Sequence, residues 1–146
     1  MRIGFGSTDW GDHANYQPGG CTQMRCMIPS HGLNQIGHQV AVGEIGWKDG
    51  EGFVILHPVE RIRKSNSGII TDYNKDQCFD KLDVVVLKLY MHKDAVKYIK
   101  MAQDLGQTVI IDTDDHFEQL PVDNLAFQTT DPKNSPDNNR KFLIDT

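Results

Sequence analysis

Three carboxylates crowd the stretch VIIDTDDHFEQLP, Val109 to Pro121: Asp112, Asp114 and Asp115 fall within four positions, and His116 follows directly. Each ionised carboxylate raises the cost of ionising the next, so the run calls for something that offsets the repulsion. Oxygen ligands at this spacing can hold a divalent cation. They can equally accept hydrogen bonds from sugar hydroxyls, or cap the helix that DDHFEQL would open, with Asp114 or Asp115 at the cap. His116 titrates in the range of a general base, though a lone histidine beside acids is also an ordinary hydrogen-bonded surface residue. The residues by themselves leave these uses open.

A second feature is the loop ending QPGG. Gly19 and Gly20 in front of a helix would let backbone amides approach a phosphate closely, with the helix dipole assisting; the same pair also serves as a plain flexible turn. The dinucleotide fingerprint is missing, because Gly4 and Gly6 are followed by Asp9 where a third glycine belongs, and no G-K-[ST] marks a phosphate-binding loop. His13, His31, His38, His57 and His92 show no zinc-ligand spacing. Cys21 at a helix start would be acidified, but nothing marks a partner base. The basic stretch ERIRKS reads as a solvated face.

The elements that must position these residues follow from pattern. RIGFG, Arg2 to Gly6, reads as a first strand running into a polar loop from Ser7 to Gly20. A helix is expected from Cys21 to about Gly37, with Met24, Ile28 and Ile36 on one face, Met27 and Leu33 beside them, and Pro29 starting a new helix or kinking this one. HQVAVGE follows as a second strand. Residues 46–80 read as an irregular insertion with two short strands, GFVILH and SGIIT. LDVVVLKLY, Leu82 to Tyr90, is the β-branched run of a strand buried on both faces. KDAVKYIKMAQDLG is a helix stopping at Gly106, and QTVIID is another buried strand. Strand, helix, strand with short connections makes parallel sheet with right-handed crossovers. The fold expected is α/β, a Rossmann-like three-layer α/β/α sandwich with a mostly parallel sheet. Ligands of such sheets bind beyond the carboxyl ends of the strands, where both the glycine loop and the acidic run fall.

Length and composition fit one domain over residues 1–146. The chain is 38% hydrophobic and 24% charged, ordinary for a globular protein. A formal net charge of −5 argues against nonspecific nucleic-acid binding. No apolar run reaches the roughly 20 residues of a membrane helix, and MRIGFGSTDWG lacks the plan of a secretory signal. Three cysteines without a C-x-x-C pair fit free thiols in a reducing, cytoplasmic setting. Residues 122–146 read as a polar loop and the first turns of a helix, RKFLIDT, as if the chain were the front of a longer architecture.

Taken in order, the first strand, the GG loop, Arg25, Pro29, Leu33, Gly37, His38 and Val40 spaced as R-x-x-x-P-x-x-x-L-x-x-x-G-H-x-V, then DVVVLKLY, a helix ending LG, and VIIDTDDHFEQLP followed by DNLAF resemble the N-terminal half of GT-B glycosyltransferases. The likeness is to glycosyltransferase family 4-like proteins of bacteria and their phages, and covers nearly the whole chain except residues 46–80. It implies half of a GT-B architecture that transfers sugar from a nucleotide-sugar co-substrate to a hydroxyl acceptor, with no cofactor and no metal site. It assigns donor phosphate or substrate binding to Gly19, Gly20, Arg25 and Lys88. Asp112, Asp114, Asp115 and His116 become the groups that position acceptor hydroxyls or take the proton. DNLAF has leucine where the family prefers proline, and the acidic E-x-x-x-x-x-x-x-E-type motif of a donor domain is absent from this sequence. The implied enzyme is therefore inactive until a second domain or partner chain completes it. The alternatives are a metal-dependent D-x-D transferase or phosphoryl-transfer enzyme, and a noncatalytic binding or assembly module.

Overall fold

The computed structural model of the chain describes residues 1–7, 19–65, 68–73, 77–113 and 119–144, with side chains placed outside 60–73 and 143–144. In chain order the elements are β1 (Arg2–Ser7), α1 (Gly20–Thr22), a π-helical turn (Gln23–Met27), α2 (Ile28–Gln35), β2 (Gln39–Lys48), β3 (Gly52–Leu56), β4 (Val59–Ser65), β5 (Gly68–Tyr73), β6 (Cys78–Phe79), β7 (Val84–Lys88), α3 (Ala95–Asp104), β8 (Thr108–Asp112), α4 (Leu125–Thr129) and α5 (Arg140–Ile144).

Six strands form one mixed sheet in the order β6-β3-β2-β1-β7-β8, and β4 and β5 pair as a separate antiparallel ribbon. β1 lies parallel between β2 and β7, and β8 adds parallel to β7. β3 runs antiparallel to both β2 and β6. The fold is thus α/β with a mixed sheet. Residues 46–80 differ from expectation: they carry the end of β2 and four further strands, and VERIRKS is the strand β4. Pairing with GIITDY, the strand β5, supplies the backbone partners that a charged segment cannot find alone. The segment 122–146 likewise contains α4, capped where Asn124 Oδ1 accepts from Ala126 N at 2.8 Å.

Two apolar clusters flank the sheet, and strand alternation sorts them by face. Ile3, Phe5, Val42, Val84 and Val86 meet Cys26 and Met27 on one face. Val85, Leu87, Ala41 and Ile55 meet Ala102, Tyr98 and Ile99 of α3 on the other. Each fully buried aliphatic among them contributes about 1.5–3 kcal/mol. The far end of the β2–β3 hairpin joins the second cluster: Gln107 accepts from Phe53 N at 2.8 Å and donates to Phe53 O at 2.9 Å, tying β3 to the start of β8. Gly106 takes the positive φ (87°) that ends α3, as its position at the helix end demands.

The helical segment from Gly20 to Gln35 departs from a simple α-helix. Its π turn runs directly into α2: Ile28 N–H reaches back to Gln23 O, and Pro29, in the first turn of α2, offers no N–H to the turn before it. The wider turn shifts the phase. Thr22, Cys26, Met27 and Ser30 are buried, whereas Met24, Ile28 and Ile36, expected on the packed face, are 65%, 58% and 72% exposed. Among the described residues no helix is long and apolar enough to cross a membrane.

Candidate functional site

The parallel strands reverse direction of addition at β1, with β2 on one side and β7 on the other. In open sheets that is where the connecting loops part and leave a crevice at the carboxyl ends. There β1 ends at Ser7, β7 at Lys88 and β8 at Asp112, and the register sets Ser7 opposite Lys88 and Lys88 opposite Asp112. Alternation from Ile3 and Phe5, and from Val84 and Val86, puts Ser7 and Lys88 on the face covered by the first helical segment. Asp112 shares that face, lining a cavity of about 340 Å³ with Arg25, Pro29 and Val86. The result is a polar row across three adjacent strand ends.

The helix supplies the other wall. Gly19 is the residue before α1, extended at φ −60° and ψ 163°, and its carbonyl accepts the first helical bond from Gln23 N at 3.0 Å. One turn on, Thr22 Oγ1 and Ser7 Oγ share a hydrogen bond of 2.7 Å, both residues being buried. A further turn brings Arg25 over β8: its Nε donates to Asp112 Oδ2 at 2.7 Å and its Nη2 to Asp112 Oδ1, a fork-to-carboxylate pair. Arg25 Nη2 also reaches the Thr113 carbonyl at 3.5 Å.

Lys88 lies in the middle of this row and is 2% exposed. Its side chain makes no hydrogen bond or ion pair with any described residue. The next residue, Leu89, holds φ at +52°, a conformation that costs free energy for a residue with a Cβ, and donates its N–H to the Asp112 carbonyl at 3.0 Å. The strand end carrying Lys88 is thus held by β8 in a strained turn.

Of the residues singled out in the sequence, Arg25 and Asp112 meet, Lys88 stands beside Asp112 in the register, and Gly19 and Gly20 open the helical segment that carries Arg25. Asp114, Asp115 and His116 lie outside the described residues, as does the helix expected to start with them. Ser7 and Thr22 were missed; only the alternation of β1, extended one residue past Gly6, would have placed Ser7 in the row. Among the described residues no three His, Cys, Asp or Glu side chains converge to hold a metal ion. Cys21, Cys26 and Cys78 form no disulfide with one another.

Fold and site together define an α/β protein whose mixed sheet ends, at its reversal point, in the row Ser7, Lys88 and Asp112 beside the helical segment that carries Arg25. No protein-family model matches the chain, and no curated protein or solved structure matches it either.

Proposed function

We propose that this domain is the Rossmann-like, three-layer half of a GT-B architecture, similar to glycosyltransferase family 4-like proteins. In this reading it transfers sugar from a nucleotide-sugar to an acceptor hydroxyl once a donor-binding domain completes it. The observation that carries the reading is Lys88. A lysine that is 2% exposed, makes no ion pair with a described residue and stands in register between Ser7 and Asp112 at three adjacent strand ends is suited to meet a diphosphate. Gly19 and Gly20 let the backbone come near those phosphates. Arg25 fixes Asp112, whose two oxygens both already accept from the guanidinium.

The general base is therefore assigned to Asp114, Asp115 or His116 rather than to Asp112. It takes the acceptor hydroxyl proton as that oxygen bonds to the anomeric carbon and the sugar's bond to the nucleotide phosphate oxygen breaks. A cation site built on Asp112 is disfavoured by the same Arg25 pair, which leaves the metal-dependent alternative without a specific observation behind it.

Calorimetric titration with UDP- and GDP-sugars, with and without Mn²⁺, tests the reading. The expected result is metal-independent binding that Lys88→Met abolishes, with no turnover by the chain alone. Binding that requires Mn²⁺ would transfer support to the cation-site enzyme, and absence of binding in both conditions would remove the phosphate role from Lys88.

A further inference from the structure

On the opposite face of the same strand end is a second cavity, of about 540 Å³, lined by Ile45, Tyr90, Met91, His92, Tyr98 and Asn138, with Leu89 at its edge. Its volume falls within the roughly 300–1,000 Å³ range of small-molecule sites. The walls come from four separate parts of the chain: the curled end of β2, the turn after β7, the first turns of α3, and the segment at Asn138. That segment is anchored to the turn, since Asn139 N donates to Met91 O at 3.1 Å and Lys93 N to Asp137 O at 2.9 Å. The buried Asn139 side chain, donating to Ser135 O at 2.8 Å, holds the segment from behind. The cavity is therefore walled by anchored segments, not by a loose fold of one loop.

Its described lining carries no formal charge. No Asp, Glu, Lys or Arg lines it among the described residues. His92 Nδ1 accepts from Asp94 N at 3.1 Å, which leaves the ring proton on Nε2; the Asp94 carboxylate, at 3.9 Å from Nδ1, is beyond hydrogen-bond range. The polar groups of the described lining are two phenols, one imidazole and one amide, with the Asp94 carboxylate close enough to act on the Tyr90 phenol from outside the wall. The surrounding rings meet at steep angles: 89° for Trp47 and Phe53, 56° for Trp47 and Tyr98, 88° for Phe53 and Tyr90, 58° for His92 and Tyr98. None of these pairs forms the parallel slot that sandwiches a flat base. A saturated ring needs only one aromatic face under its C–H groups and neutral partners for its hydroxyls.

We infer that this cavity binds a neutral pyranose. Its role as the acceptor sugar rests on the glycosyl-transfer reading; its binding does not. Lys88 and Tyr90 are two residues apart on one strand end, so an anion on one face and a sugar on the other would be held by a single short segment.

The test is titration of the intact chain with methyl gluco-, galacto- and mannopyranosides, followed by protein NMR. Trp47 is the reporter: its ring packs on Tyr98, and its indole N–H has a distinct resonance. The expected result is a saturable shift of the Trp47 indole and the Asn138 side-chain amide with at least one glycoside. Tyr98→Phe, which keeps the ring, and Asn138→Ala, on an exposed residue, should each weaken that binding about fivefold. No saturable shift would overturn the assignment, as would shifts that both variants leave unchanged. Uridine moving these resonances more strongly than any glycoside would also overturn it and make the cavity a base site. UDP titrated into the same samples reports on Lys88 separately, so loss of one site is distinguishable from loss of the other.

Discussion

Arg25 and Asp112 meet through two hydrogen bonds although 87 positions separate them in the chain. The pair joins the first helical segment to the last strand of the sheet, at the wall of a cavity it shares with Pro29 and Val86. Arg25 is 38% exposed and Asp112 22%, so solvent screens much of their attraction. A double-mutant cycle with Arg25→Ala and Asp112→Ala should give a coupling energy of about 1 kcal/mol in urea unfolding. Arg25→Lys should recover little of it, because one ammonium cannot reproduce the fork. A coupling of zero would mean that the pair orients nothing.

Lys88→Met should separate stability from binding. Replacing a 2%-exposed lysine that makes no ion pair with a described residue by an apolar chain of similar length removes a desolvation cost, so the urea midpoint should rise by the equivalent of roughly 1 kcal/mol. Affinity for UDP should fall by at least about tenfold. A residue kept at a stability cost for its function behaves this way. A fall in stability would show that the ammonium is satisfied within the protein.

Much of the sheet was legible in the sequence, because β7 and α3 write their periods plainly: three consecutive valines for a strand buried on both faces, and a glycine where the helix must turn left-handed. The charged β4 was not legible, since ERIRKS has the composition of a solvated loop and becomes a strand only through its pairing with β5. The helix face was misread at Met24, Ile28 and Ile36 because a π turn breaks the period on which the reading depends. For the site, Gly20, Lys88 and Asp112 could be placed from strand and helix ends alone. The Arg25–Asp112 contact and the Ser7–Thr22 hydrogen bond could not, because both depend on tertiary register.

Gly20 distinguishes a glycine kept for a ligand from one kept for packing. A Cβ built at Gly20 meets nothing within 4 Å, and its φ is not positive. Gly20→Ala should therefore leave stability unchanged or raise it by up to about 1 kcal/mol, while weakening nucleotide binding if phosphates approach the backbone there. Gly43→Ala is the contrast: its Cβ would run into the Leu56 carbonyl and the Ile55 side chain, and the β2–β3 pairing would have to shift. Thermal unfolding of the two variants, beside a UDP titration of the first, checks both halves. Unchanged affinity in Gly20→Ala would take the glycine out of the site.

Gln107→Ala should be among the costliest single changes outside the hydrophobic clusters. It removes both side-chain bonds to Phe53 and leaves a buried N–H and a buried carbonyl without partners, a loss of roughly 2–4 kcal/mol. The amide of Phe53 should then exchange with solvent much faster relative to that of Val85, which sits in the centre of the sheet. Equal acceleration at both sites would mean global unfolding rather than release of the hairpin.

Tyr90 gives the pH dependence of the aromatic pocket. Burial, with a smaller contribution from Tyr98, pushes its phenol up from 10.0 to about 12. An acid whose pKa is higher folded than unfolded binds its proton more tightly in the native state. Its contribution to stability is thus complete below pH 10 and is lost as the pH rises through about 12. Phenolate absorbance should show a step near pH 12, and Tyr90→Phe should remove that step and flatten the alkaline fall in unfolding midpoint. Glycoside binding in the cavity, whose wall includes Tyr90, should raise this pKa further, because a bound sugar excludes more water from the phenol. A pKa unmoved by saturating glycoside would place the sugar elsewhere.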